Sequence, residues 1–227
     1  LVQRDKKGRL QDILTHEYAD GATLPNDVVV ESWICVEIDR ETNPVEIEEI
    51  TNRVSQVLED VRIAVTDWSA MRAQVQNAVS AIEAITFFSP EDRKNAAEFM
   101  RWLDNDHFTY LGYTYSKVSG GKVTTEKGTS LGVSRAEKET SASANYLTQG
   151  SADSPIILVT KSSNRATVHR PTLMDYIGVR EVDASGQIVG EHRFLGLFTA
   201  SAYTDTAASI PLLAKKVNDV VVAMDLG

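Results

Sequence analysis

The sequence predicts an α+β fold, and three observations predict it. Between residues 44 and 103 apolar side chains recur with helical spacing. On either side, at residues 28–38 and 107–200, the spacing falls to two and β-branched or aromatic residues fill the apolar places. Gly-rich turn signals, such as Ser119-Gly120-Gly121-Lys122 and Asp183-Ala184-Ser185-Gly186, separate the strand-like runs but not the helical ones.

In chain order, Asp5-Lys6-Lys7-Gly8 reads as a turn between a strand at Leu1-Val2 and one at Leu10 to Leu14. After a loop with Gly21 and Pro25, residues 28–38 read as one long strand, with Ile34, Val36 and Ile38 on a buried face. Asn43 and Pro44 start a helix, and Glu46 can reach back to complete a capping box. Ile47, Ile50, Val54, Val57, Leu58, Val61 and Val65 mark its face to about residue 67. Ser69 is expected to cap a second helix carrying Met71, Val75, Val79, Ile82 and Ile85. Ser89-Pro90-Glu91-Asp92 starts a third, carrying Ala96, Met100 and Leu103.

From His107 the period changes. Phe108, Tyr110, Tyr113 and Tyr115 predict an aromatic strand, turning at Gly120-Gly121 into a strand at Val123. Residues 127–154 are rich in Ser, Thr, Gly and Ala, with only Tyr146-Leu147 strongly apolar, and read as a mobile loop with at most a short helix. The run Ile156 to Val159 suits a central strand. Strands at residues 176–182 and 188–198 follow, then a last helix from Pro211 with Val217, Val220, Val221 and Met224 on its face. Two strands, an irregular insert and three more strands is the order of a PAS-type five-stranded antiparallel sheet.

The 227 residues carry a net charge of −9, which makes nucleic acid a poor first partner. No apolar run approaches the ~20 residues that span a bilayer, so no membrane partner is expected. Cys35 is the single cysteine, which excludes an internal disulfide and a cysteine metal site and fits a reducing, cytoplasmic compartment. The first residues are not a signal peptide, and both ends read as cuts in a longer protein.

The motifs of catalysis are missing. There is no Gly-x-Gly-x-x-Gly after a strand, no phosphate-loop lysine and no Gly-x-Ser-x-Gly elbow. His16, His107, His169 and His192 are far apart, so no metal site is expected. The densest polar stretch, residues 160–171, places Lys161, Asn164, Arg165, His169 and Arg170 directly after the Ile156–Val159 run. It has two readings. One is an anion or carboxylate pocket with Arg165 or Arg170 as bidentate donor. The other is a solvated connector whose arginines pair with nearby acids. Asp104-Asn105-Asp106-His107 reads either as an acid/base cluster or as a polar helix end with Asn105 left-handed. Tyr110, Tyr113 and Tyr115 read as core packing or as a platform for a flat ligand.

Several stretches together resemble the large bacterial NAD-dependent glutamate dehydrogenases. They are residues 32–39 (Ser32-Trp33-Ile34-Cys35-Val36-Glu37-Ile38-Asp39), 99–113, 163–171 and 175–179 (Asp175-Tyr176-Ile177-Gly178-Val179). Residues 190–199, 201–203 and 210–213 complete the set in family order. The resemblance is to the N-terminal, non-catalytic region. It implies the end of an ACT-like domain at residues 1–67, connecting helices at 68–106, a PAS-like domain at 107–204 and a helix at 205–227 leading to the next domain. It implies a parent enzyme that oxidises glutamate with NAD held in a separate C-terminal domain. This region would then carry no catalytic residue, no cofactor and no metal. Its expected partners are the rest of its own chain, further copies of itself in a homo-oligomer, and a small-molecule effector. Cys35 stands where the family more usually has His, which puts in doubt any role needing an imidazole there.

Overall fold

The computed structural model describes residues 1–15, 18–19, 22–136 and 155–224; His16, Gly21 and the Tyr146-Leu147 pair lie outside them. Two compact units divide the chain, Leu1–Ile47 and Glu48–Gly227.

The first unit holds a three-stranded antiparallel sheet of order β2-β1-β3, with β1 at Val2–Arg4, β2 at Leu10–Ile13 and β3 at Val28–Val29. The β1–β2 turn is the expected one. Asp5 accepts from the backbone N–H groups of Lys7 and Arg9, and Gly8 takes a positive φ of 75°. Arg4 grips the Glu31 carboxylate with two donors, and the Trp33 indole adds a third at 2.9 Å. Chiefly through the Arg4 bond, the Glu31 carboxyl is held down at about 2. The long strand expected at residues 28–38 stops at Val29. A strand persists only where its backbone groups find a ladder partner. Past Val30 none pairs with it among the described residues, and Ile34, Val36 and Ile38 are exposed instead of buried.

The expected helices at 44–67 and from 69 are one 41-residue helix, α1 (Pro44–Ala84). No Gly or Pro interrupts residues 45–84, and a serine that can cap does not end a helix whose backbone bonds are all made. At its start Asn43 accepts from Val45 N–H, while Glu41 rather than Glu46 takes the Asn43 N–H. The second half of α1 buries Met71, Val75, Ala78, Val79 and Ile82. In the first half Ile47, Ile50, Val54, Leu58 and Val65, which the spacing places on one face, are exposed. The next helix, α2 (Pro90–Trp102), begins as the sequence indicates, with Ser89 Oγ accepting from Asp92 N–H at 3.0 Å and Pro90 at its first turn.

Among the described residues the second sheet has six strands, all antiparallel, ordered β5-β4-β9-β8-β7 with β6 beside β4. They are β4 (Phe108–Ser119), β5 (Lys122–Thr125), β6 (Leu131–Gly132), β7 (Ile157–Arg165), β8 (Leu173–Val182) and β9 (Ile188–Phe198). The five expected strands are present, and two-residue β6 is added. The Ile156–Val159 run lies in the last strand of this sheet, not in a central one; Val159 is 43% exposed. In β4 the register shifts between Tyr110 and Gly112, so Phe108 and Tyr110 share a buried face with Tyr113 despite the change of parity. That face packs on α1 and α2 through Phe194, Ile177, Val179, Met100 and Leu103. Each such side chain contributes about 1.5–3 kcal/mol on burial. The alternate residues Leu111, Met174, Leu195 and Leu197 form a second core with Ala64. Gly196 is required where strands β4 and β9 meet, because a Cβ there would lie 2.1 Å from the Thr109 carbonyl. Short α3 (Ala200–Thr204) and α4 (Pro211–Ala223) close the chain, and no residue of α4 is buried.

Candidate functional site

The five residues singled out after the Ile156–Val159 run are all exposed. Lys161, Asn164 and Arg165 lie on β7, and His169 and Arg170 in the loop that follows. Lys161 Nζ pairs at 2.6 Å with buried Asp175, its cross-strand neighbour on β8. Arg165 donates to the Pro171 carbonyl at 3.1 Å. Arg170 donates to the Phe198 carbonyl at 2.8 Å and lies over the Tyr203 ring. His169 takes a positive φ of 73°. None of the five lines either concavity described next.

The larger concavity, about 780 Å³, lies among α2, the start of β7, α3 and α4. Phe99, Trp102, Ile156, Phe198, Ile210 and Leu213 supply its apolar wall, and Asp92, Lys215 and Asp219 its polar rim.

The smaller one, about 190 Å³, is lined by Trp68 and Arg72 of α1, Asp104 and Asp106, the first residues of β4, and Thr199. It exists because the chain leaves α2 through one wide π-helical turn, Leu103–His107. In that turn Asp106, rather than Asn105, is left-handed, with φ 60°. Thr199 fixes the turn by donating to the Asp106 carbonyl at 2.6 Å. Arg72 reaches it from α1: Nε donates to Asp104 Oδ1 at 2.7 Å and Nη2 to Oδ2 at 3.0 Å. The guanidinium carbon sits 5.0 Å from the centre of the Trp68 ring. Bonding to Asp104 raises the Arg72 pKa against its burial, and the charges of Asp104 and Asp106 add to that. Tyr110 is 3% exposed, and its hydroxyl has no hydrogen-bond partner among the described residues. Burial, with the Asp104 charge second, pushes its pKa up, so it stays a proton donor. The Asp104–His107 stretch is thus a polar helix end. Its His107 turns away, to Asp205 at 3.3 Å and to the Trp102 carbonyl. Arg72 carries no local sequence signal; it lies 32 residues from Asp104 in a helix otherwise read for its apolar face.

Two polar groups of the sheet also escaped the sequence reading. Tyr113 bonds His192 at 2.8 Å, and Glu181 takes His192 at 3.0 Å and Tyr115 at 2.6 Å. On the opposite face Tyr176 donates to Glu191, which is 1% exposed. Among the described residues no three His, Cys, Asp or Glu side chains cluster as a metal site, and no helix is long and apolar enough to cross a membrane.

The described residues form a mixed α/β segment with a small polar cavity, and comparison with known proteins says to which class it is related. Residues 1–54 match the family model described as glutamate dehydrogenase, ACT1 domain. The chain is 35% identical to the NAD-specific glutamate dehydrogenase of Halomonas elongata over 97% of its own length, and 30% identical to that of Pseudomonas aeruginosa over 97%. The Mycobacterium tuberculosis enzyme of the same name is 31% identical over 83% of the chain. The chain spans only 14%, 14% and 11% of the lengths of these relatives. The segment is therefore related along nearly all of its length to the NAD-specific glutamate dehydrogenases, and it carries their ACT1 domain.

Proposed function

We propose that this segment is a non-catalytic regulatory and assembly region of a cytoplasmic NAD-specific glutamate dehydrogenase. The polypeptide containing it would convert L-glutamate, NAD and water to 2-oxoglutarate, ammonia and NADH, with NAD bound elsewhere in the chain. The observation that carries this reading is the ACT1-domain match at residues 1–54 within a segment equal to a seventh or less of its relatives. Two strands, an insert and three strands in one antiparallel sheet support a PAS-like second domain. The exposed apolar row on the first half of α1 supports a role in contacts with the rest of the chain and with other copies. The alternative is a sensor domain that binds an amino acid or a nucleotide in the PAS-like sheet; Lys161, Asn164, Arg165, His169 and Arg170, the residues first considered for it, are exposed and line neither concavity.

Two measurements test the proposal. The purified segment is expected to give no glutamate-dependent NADH absorbance; steady NAD reduction by it would refute the non-catalytic reading. Deleting the segment from the complete enzyme is expected to change subunit assembly or effector response. An unchanged sedimentation profile together with unchanged kinetics would refute the regulatory reading.

A further inference from the structure

In the larger sheet β7 stands last, and among the described residues no strand pairs with its outer edge. The phase of the ladder says which backbone groups face outward. Arg180 N–H donates to the Ile156 carbonyl at 2.9 Å, so Ile156, Leu158 and Thr160 turn their backbone groups toward β8. The N–H and C=O groups of Ile157, Val159 and Lys161 therefore point away from the sheet. Such a row is a template for one more strand.

The 780 Å³ concavity opens on that edge. Successive side chains of a strand point to opposite faces, so a space over one face alone meets alternate residues. This one is lined by consecutive residues, Pro155 to Val159, and so reaches round the edge itself. Its far wall is apolar, with Phe99 and Trp102 from α2 and Leu213 from α4, the last 41% exposed. Asp92 and Asp219 on the rim balance Lys215 and Lys216, so the groove selects for apolar shape and not for charge.

The two features together specify an occupant. A row of outward amides and carbonyls complements another backbone, and an apolar wall beside it complements every second side chain of that backbone. A small apolar molecule would cover the wall and leave the row unmatched. The source of the strand follows from length and tethering. The chain spans 14% of the length of two relatives, so most of a related polypeptide lies outside it. A segment on the same polypeptide meets the groove at an effective concentration on the order of millimolar, far above that of a second copy in dilute solution.

We propose that the β7 edge and the groove beside it dock an extended segment of the parent dehydrogenase from outside these 227 residues, added as a further strand with alternate apolar side chains against Trp102 and Leu213. The proposal deepens the assembly reading and rests on it for the source of the segment.

Hydrogen exchange across residues 155–161, followed by mass spectrometry in the complete enzyme and in the 227-residue chain, tests it. The outward amides of Ile157, Val159 and Lys161 are expected to exchange at least about a hundredfold more slowly in the complete enzyme. Val159→Pro removes an outward N–H and no bond of the β7–β8 ladder, so the chain should keep a urea midpoint near the parent's while the complete enzyme loses the protection. Leu213→Asp charges the groove wall at an exposed position, leaves β7 untouched and is expected to remove the protection too. Equal exchange in the two proteins overturns the docking, as does protection that either variant leaves unchanged. Outward amides already slow in the 227-residue chain overturn it as well. Slow at every concentration, they would show the edge covered by the chain's own residues; slowed only as concentration rises, by a second copy. Equal exchange leaves the deletion experiment free to support the regulatory reading. Protection without any effect of the deletion would sink that reading and keep the docking.

Discussion

Replacing Glu191 by Gln should reshape the stability of the larger unit as a function of pH. Glu191 stands on β9 directly across from Arg180 of β8, and both are nearly inaccessible. Tyr176 donates to Oε1, while Oε2 has no hydrogen-bond partner among the described residues and fills the space above Gly178, where a Cβ would lie 2.8 Å from it. Burial pushes the Glu191 carboxyl up from 4.5 to about 7, against the opposing pull of the Tyr176 bond and the Arg180 charge. An acid with a raised native value is neutral in both states below 4.5. Between 4.5 and about 7 the unfolded chain releases the proton while the native one retains it, so stability falls as pH rises and levels off above about 7. The full loss is about 3 kcal/mol, at about 1.4 kcal/mol per pH unit. The Glu191→Gln variant keeps the acceptor for Tyr176 and cannot ionise. Its stability relative to the parent chain should therefore grow by up to about 3 kcal/mol between pH 4.5 and pH 7. Urea unfolding across that range, read by tryptophan fluorescence, measures the difference. A variant that tracks the parent at every pH, or loses stability above pH 7, would refute the reasoning and show the Arg180 pairing to be net favourable.

Two further substitutions probe how the elements are tied together. Asp67 of α1 is 6% exposed and accepts from Gly132 N–H at 2.8 Å and from Arg135, so Asp67→Ala should cost about 2 kcal/mol, mostly from the stranded amide because Arg135 is half in water. The Arg135 bond, ahead of the opposing burial, holds the Asp67 carboxyl below its ordinary value. Its contribution is therefore present at neutral pH and lost as pH falls through that lowered value, and Asp67→Asn should flatten the acid limb of the unfolding curve. Gly196→Ala presses a methyl against the Thr109 carbonyl and the Phe108 ring, and because the nearer obstacle is backbone the cost should reach about 1–3 kcal/mol or more, seen as a lowered urea midpoint.

What the sequence made legible was local chemistry. The Ser89-Pro90 start, the Gly120-Gly121 and Asp183–Gly186 turns, and the aromatic run of β4 were all readable because each depends on neighbours within a few residues. The parity change from Phe108 and Tyr110 to Tyr113 and Tyr115 was itself a record of the bulge at residue 111. The cavity was not legible. Its three principal groups, Arg72, Asp106 and Tyr110, sit on a helix, a π turn and a strand, and their spacing reflects how those elements cross rather than any motif. The Lys161–Arg170 stretch shows the converse. Charge density along the chain is compatible with a pocket and with a solvated connector alike, and strand alternation and cross-strand pairing with Asp175 decide where Lys161 points.

The helix α1 shows where periodicity stops being informative. Positions 47, 50, 54, 57, 61, 64, 68, 71, 75, 78 and 82 form one unbroken three-four repeat, apolar throughout. Up to Val61 the row is at least a third exposed; from Ala64 on, Trp68 apart, it is buried. The repeat fixes which face of the helix is apolar, and it does so equally well in both halves. It says nothing of what covers that face, because the covering residues come from elsewhere in the chain or from another chain. In the second half the cover is the β4–β9 sheet and α2, reached through contacts far apart in sequence. Leu58 and Val65 widen the first half's row beyond the two positions per heptad of a two-helix seam. That breadth matches a helix laid on a flat apolar surface such as a sheet, the kind of surface that already covers its second half.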